Sequence, residues 1–214
     1  LLTTTKHMIR AAIFDHDGVI TDNTHIHLDA YKKAFSQEQI TLDHTEADTI
    51  FHGRTSTEII KSIFTDHNID VSDADIDRIK HKKDRYYTAV AKDELRPING
   101  LKYLIKTLKD KGIKLAIASA SRRKNIDMSL QLLGISEEFD AQVTAEDVNK
   151  GKPEPDIFLK AARRLRTPPA ECIVFEDSIH GVDAAKKAGM RCIALLTTTT
   201  AENLSKADNI VKDF

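Results

Sequence analysis

The chain is poor in the features that mark several common protein classes. Its 214 residues include only two cysteines, Cys172 and Cys192. Both lie inside apolar runs and lack the spacing of a zinc site, so they read as reduced core residues of a cytoplasmic protein. No stretch approaches the roughly 20 apolar residues that span a bilayer, and no membrane association is expected. Leu1–Met8 has no apolar core of the signal-peptide kind, and Met8 would be a natural start. Charge of one sign is lacking too. With 32 basic and 33 acidic residues the net charge is −1, which gives no global field to recruit nucleic acid or anionic lipid. Lys80, Lys82 and Lys83 form a local cluster, which at helical spacing reads as a solvated face. There is no internal repeat, and Thr197–Thr200 is the one low-complexity tract. What remains, 41% apolar and 30% charged residues, suits a globular protein with a substantial core.

One stretch concentrates chemistry. Ile9 to Phe14 is an apolar run broken only by Arg10, which reads as a buried strand. Asp15-His16-Asp17-Gly18 follows at once. Residues i and i+2 share a side in extended geometry, so Asp15 and Asp17 can converge just past the strand's carboxyl end. Two carboxylates so placed repel each other unless a proton or a cation intervenes, and a hard oxygen-seeking ion such as Mg²⁺ relieves that repulsion. By the same alternation His16 should point away and pack. Asp-x-Asp-Gly is also ordinary turn chemistry. It opens calcium-binding loops as well, but Val19 and Ile20 stand where such a loop needs oxygen ligands.

From about residue 23 to 96 no convincing strand is found. His25 to Phe35 has helical spacing. Thr55 and Glu58 form a capping box ahead of Ile59, Ile60, Ile63 and Phe64. Asp73 to Val90 reads as a long helix buried along Ile76, Ile79, Tyr86 and Tyr87. After Pro97–Gly100 the pattern alternates. Leu101–Leu108 is a helix with a stop at Gly112, Ile113–Ala118 a strand, and Arg122–Leu133 a helix stopping at Gly134. Ala141–Thr144 is a weak strand, Asp156–Leu165 a helix, and Cys172–Phe175 a strand. Ile179–Ala188 is a helix stopping at Gly189, and Arg191–Leu195 a strand. Such alternation predicts an α/β fold, a doubly wound parallel sheet with helices on both faces. Its crossovers are right-handed, so every strand-to-helix loop opens on one edge. The expected organisation is a core of residues 1–22 and 97–214, with residues 23–96 inserted as a helical cap.

That edge gathers Asp15 and Asp17, Ser119 and Ser121, Lys152 and Glu176-Asp177-Ser178. Singly, each has an ordinary reading: a helix cap for the serine, a solvated loop for the lysine, a helix start for Glu-Asp-Ser. Together, on one rim, they read as a site.

In this order the residues resemble the four motifs of the haloacid dehalogenase superfamily: Asp15-His16-Asp17-Gly18, Ser119, Lys152, and Glu176-Asp177. The helical insert resembles the cap of the family's phosphatase and β-phosphoglucomutase branch. The resemblance implies Asp15 as nucleophile, forming an aspartyl-phosphate, and Asp17 as general acid and base. It implies Ser119 as a phosphoryl hydrogen-bond donor and Lys152 as the neutralising cation. It further implies a Mg²⁺ site made of Asp15, Asp177 and the backbone carbonyl of Asp17, with Glu176 a direct or water-bridged partner. Dehalogenases do not need an acid at Asp17, so phosphate chemistry is expected rather than carbon–halogen hydrolysis.

Substrate choice is assigned to the cap. The candidates are His27, His52, Gly53, Arg54, Ser56 and Lys82, with Ser121 from the core. The mutases grip a distal phosphate with an arginine whose position, counted from Gly53, is Ser56 here; Arg54 stands two residues earlier. His27 and Lys82 fall where the mutases carry a hinge histidine and its lysine partner. The expected function is a Mg²⁺-dependent phosphatase of small phosphorylated metabolites such as sugar phosphates, acting as a monomer. The alternatives are a β-phosphoglucomutase-like phosphotransferase and a catalytically idle phosphometabolite sensor. Hinges are expected near Thr21–Asn23 and Arg96–Asn99.

Overall fold

A computed structural model describes residues 8–42 and 54–214. Its centre is a six-stranded, all-parallel sheet in the order β3-β2-β1-β4-β5-β6. The strands are β1 (Ala11–Phe14), β2 (Lys114–Ala118), β3 (Ala141–Val143), β4 (Cys172–Glu176), β5 (Arg191–Leu195) and β6 (Asn209–Val211). All four residues of β1 are buried, as a strand covered on both faces requires. β6 extends the sheet beyond the strands read from the sequence; three residues pairing with Ile193–Leu195 are too short for periodicity to reveal.

Two apolar layers sandwich the sheet. Ile13, Ala116 and Val174 face one, with Phe158 and Ala184 from the covering helices. Phe14, Leu115, Ile117 and Phe175 face the other. There the Phe14 and Phe175 rings stack at 4.7 Å between centroids. The helices of the sheet region are α4 (Leu101–Asp110), α5 (Arg123–Leu133), α6 (Asp156–Arg164) and α7 (Ile179–Lys187).

The insert supplies α1 (Thr24–Ser36), α2 (Ser56–Asp66) and α3 (Asp73–Glu94). Thr55 caps α2 with Glu58 in the expected reciprocal arrangement, and Ser72 with Asp75 does the same for α3. Tyr31, Phe35, Ile60, Ile63 and Ile79 form an apolar cluster drawn wholly from the insert. Ala30, Tyr87 and Ala91 instead join Val19, Ile20 and Ile98 of the sheet layer. The two segments connecting insert and sheet run side by side: Asp22 N–H donates to Arg96 O at 3.1 Å and Ile98 N–H to Ile20 O at 3.1 Å.

The long helix corrects one expectation. α3 runs on to Glu94, and Lys83 and Asp84 are buried rather than solvated. Tyr86 is only partly buried and accepts a hydrogen bond from Gln37. Among the described residues no helix is long and apolar enough to cross a membrane.

Candidate active site

β1 lies between β2 and β4, where the strand order reverses, and the crevice past the carboxyl ends at such a point is the standard ligand site of open α/β sheets. Asp15 directly follows β1, its N–H donating to Phe175 O of β4 at 2.9 Å. Its carboxyl group is buried, with Lys152 Nζ 3.0 Å from Oδ2. Lys152 also donates to Glu176 Oε1 and sits 5.2 Å from the Phe158 ring centroid. Glu176 Oε2 accepts from Asp177 N, Ser178 N and Ser178 Oγ, each at 2.9 Å. Its carboxyl group presses on Gly181, where a Cβ would stand 1.8 Å from Glu176 Cδ. A side chain at 181 would therefore dislodge Glu176 from Lys152.

Charge sets the protonation here. Burial pushes Asp15 up to about 7, against the pull of Lys152 and with the push of Glu176 and Asp17. Burial, Glu176 and Asp15 together raise Asp177 well above the usual carboxylate range. Burial also works against ionised Glu176, but Lys152 outweighs it and lowers its pKa. Lys152 is itself raised: Asp15 and Glu176 overcome the cost of burying its charge.

Three buried carboxylates facing one lysine leave negative charge in excess, which a cation relieves. Asp15, Glu176 and Asp177 each present an oxygen within 4.8 Å of the others. Asp15 Oδ1 is buried with no hydrogen-bond partner among the described residues. Gly18, at φ 74°, provides the room: a Cβ there would lie 2.0 Å from Asp177 Oδ2. An orphaned oxygen, a hard donor set and space kept clear by a glycine all fit a divalent metal. The Asp17 side chain is engaged elsewhere.

Asp17 Oδ1 accepts from Asn23 Nδ2 at 2.6 Å and lies 2.8 Å from His16 Nδ1 and 3.1 Å from His27 Nε2. Its Oδ2 accepts from Ser121 Oγ at 2.5 Å. Burial would raise this carboxyl group; His27 and His16 outweigh it and hold it well below the usual range. His16 thus does not point away as strand alternation predicts. The strand ends at Phe14 and residues 15–21 form a turn, so alternation no longer applies.

His27 stacks on Tyr87 with centroids 4.3 Å apart, and burial and Lys83 depress its pKa. Lys83 lies over the Tyr31 and Tyr87 rings, 5.2 and 5.1 Å from their centroids. His27, Tyr31 and Lys83, with Asp15, Asp17 and Ser119, line a cleft between insert and sheet.

The other expected cap residues divide. Arg54 and Ser56 line the cleft. Arg54 Nη2 donates to Glu58 O at 2.9 Å, and Ser56 Oγ accepts from Tyr31 Oη at 3.0 Å. Lys82 is outside the lining and pairs with Glu38 at 2.7 Å. Lys83 occupies the place expected for it, because one residue along a helix turns a side chain by about 100°. His52 and Gly53 lie outside the described residues.

Several residues of the site were not among the candidates read from the sequence. Asn23 Nδ2 also donates to Tyr87 Oη at 2.8 Å, linking the first turn of α1 to α3. Thr197 Oγ1 donates to Gly18 O at 2.6 Å and Thr198 Oγ1 to Asp177 O at 2.7 Å, so the threonine tract ties two site loops together. Its position just past β5, on the same rim, was the available clue.

Comparison with known proteins agrees with this geometry. Residues 12–195 match the haloacid dehalogenase-like hydrolase family. The chain is 35% identical over 193 residues to a β-phosphoglucomutase of Bacillus subtilis, covering 87% of this chain and 83% of that protein. It is 29% identical over 207 residues to the validoxylamine A 7'-phosphate phosphatase of Streptomyces hygroscopicus subsp. limoneus, covering 97% and 95%. A crystal structure of β-phosphoglucomutase from Clostridium difficile superposes with a TM-score of 0.87 at 32% identity, covering 96% of this chain and 92% of that one. With its motifs in order on one rim and most of its length matched, the chain belongs to the haloacid dehalogenase-like hydrolase family and is an enzyme of its phosphatase and β-phosphoglucomutase-like group.

Proposed function

We propose that the protein is a Mg²⁺-dependent phosphatase of small phosphorylated metabolites, such as sugar phosphates, working through an aspartyl-phosphate. The observation that carries this reading is the asymmetry of Asp15: Oδ2 is held by Lys152 while Oδ1 is buried with no hydrogen-bond partner among the described residues. A carboxylate so oriented is a positioned nucleophile. Asp15 and Asp177, with the backbone carbonyl of Asp17, would hold the metal, with Glu176 as a direct or water-bridged partner. Bound there, Mg²⁺ supplies the positive charge that lets a carboxylate approach a phosphate dianion.

Asp15 attacks phosphorus, forming an Asp–O–P bond as the bond to the metabolite oxygen breaks. Asp17 gives the leaving alkoxide the proton it took from water in the preceding turnover, and its lowered pKa makes that acid a ready donor. Ser119 and Lys152 bind the phosphoryl oxygens and keep them oriented. Water then attacks phosphorus, Asp17 takes its proton, and phosphate leaves with Asp15 restored. The donors around Asp17 favour its carboxylate, the form that accepts this proton.

The test is phosphate release from a panel of sugar phosphates with Mg²⁺. Release well above an Asp15→Asn control is expected; none above it refutes the phosphatase. A mutase reading draws on the contact of His27 with Asp17, at 3.1 Å. It requires glucose 6-phosphate from β-glucose 1-phosphate primed with the bisphosphate, and free glucose with phosphate as the only products excludes it. A sensor would bind these compounds without forming an aspartyl-phosphate.

A further inference from the structure

Two imidazoles meet one carboxylate oxygen at Asp17, and one of them belongs to the preceding residue. His16 is only 1% exposed. Its backbone is pinned, the carbonyl accepting from Ile20 N at 2.8 Å and Thr21 N at 3.2 Å. Its Nδ1 lies 2.8 Å from Asp17 Oδ1, whereas its Nε2 is buried with no partner among the described residues. A carboxylate only accepts, so the ring hydrogen belongs on Nδ1 and the bare nitrogen is Nε2. Burying a ring nitrogen unpaired costs stability that an apolar side chain of similar bulk would not. The Nδ1 contact is what an apolar residue could not make.

The other groups on Asp17 are of two kinds. Asn23 and His27 stand at the start of α1, on the insert. Ser121 belongs to the loop after β2 and holds the opposite oxygen, Oδ2. His16 alone among these partners shares the β1 loop with Asp17, so their spacing does not depend on how the insert sits.

We propose that His16 is a positioning residue for proton transfer: its Nδ1–H holds Oδ1 and thereby turns Oδ2 toward Ser121 and the cleft. The proposal rests on Asp17 being the proton carrier. It predicts chemistry by atom position. Asparagine places an amide N–H close to where histidine has Nδ1, glutamine places one nearer Nε2, and leucine has none.

The experiment combines tautomer and turnover. In the ¹⁵N spectrum of the histidine-labelled protein, His16 is expected with its hydrogen on Nδ1; a neutral ring protonated on Nε2 overturns the proposal. Turnover of glucose 6-phosphate and p-nitrophenyl phosphate is then measured for His16→Asn, His16→Gln and His16→Leu, each checked by thermal unfolding. The glutamine and leucine variants should lose about ten- to hundredfold in kcat with KM nearly unchanged. His16→Asn, which leaves the larger void but restores the donor, should stay within about threefold of the parent. Equal kcat in all variants, or an asparagine variant as slow as leucine, overturns the proposal. An Asp17→Asn variant as active as the parent would instead remove the reading of Asp17, while the His16 tautomer stands on its own measurement.

Discussion

Lys152 Nζ stands 3.0 Å from Asp15 Oδ2 and donates at the same time to Glu176, so one buried ammonium holds two carboxyl groups at the carboxyl ends of adjacent strands. Removing it leaves uncompensated charge in the interior. Lys152→Met is expected to destabilise the fold by about 3 kcal/mol or more and to abolish turnover. Urea unfolding followed by circular dichroism measures the first effect; an unfolding midpoint equal to the parent's would show that the carboxylates do not depend on Lys152.

The raised pKa of Asp15 makes stability depend on pH, and under the proposed function it should make Mg²⁺ binding do so too. Protonated Asp15 stabilises the metal-free fold fully below its ordinary 3.8, and that contribution is lost as pH rises through about 7. Metal competes with the same proton. The rise in Tm produced by Mg²⁺ should therefore be small at pH 5 and grow up to pH 8. A thermal shift that is independent of pH would argue against Asp15 as a ligand.

Gly18 is held by geometry as well as by conformation. Its φ is 74°, and a Cβ would sit 2.0 Å from Asp177 Oδ2. Gly18→Ala should lose about 1 kcal/mol from the backbone alone. By displacing Asp177 it should also weaken Mg²⁺ binding and turnover by at least about tenfold. Calorimetric titration with Mg²⁺ checks the binding, and affinity equal to the parent's would contradict the displacement.

Asp84 of α3 is bound by Lys124 at 2.7 Å, by Asn125 Nδ2 at 3.1 Å and by Arg122 at 3.2 Å, all at the start of α5. It joins the insert to the sheet region next to Lys83. Asp84→Ala should speed hydrogen exchange along α3 and lower kcat/KM by about tenfold, since residues of the insert and of the sheet region line the cleft together. Exchange unchanged in α3 would mean that other contacts keep it in place.

Most of the rim was legible from local pattern. The apolar run before Asp15 and the strand–helix alternation led to the parallel sheet. Asp15, Asp17, Ser119, Lys152, Glu176 and Asp177 needed only that every such loop opens on one edge. The Thr55–Glu58 capping box was legible because both partners lie within one helical turn. Lys83 was missed for Lys82 because a single residue step rotates a side chain about a quarter turn round the helix, and no local feature distinguishes the two. His16 departs from alternation because the strand ends at Phe14, two residues before it.

By itself, the sequence determined the order of strands and helices through β5, the insert after β1, and which carboxylates and which lysine reach the rim. These follow from periodicity, turn residues and the handedness of crossovers, all short-range properties of the chain. The tertiary structure decided what each group touches. Asp17 is held across 104 residues by Ser121, and Gly18 O is bonded across 179 residues by Thr197. Such bonds depend on ångström-scale distances between distant segments, which packing sets and local sequence does not encode.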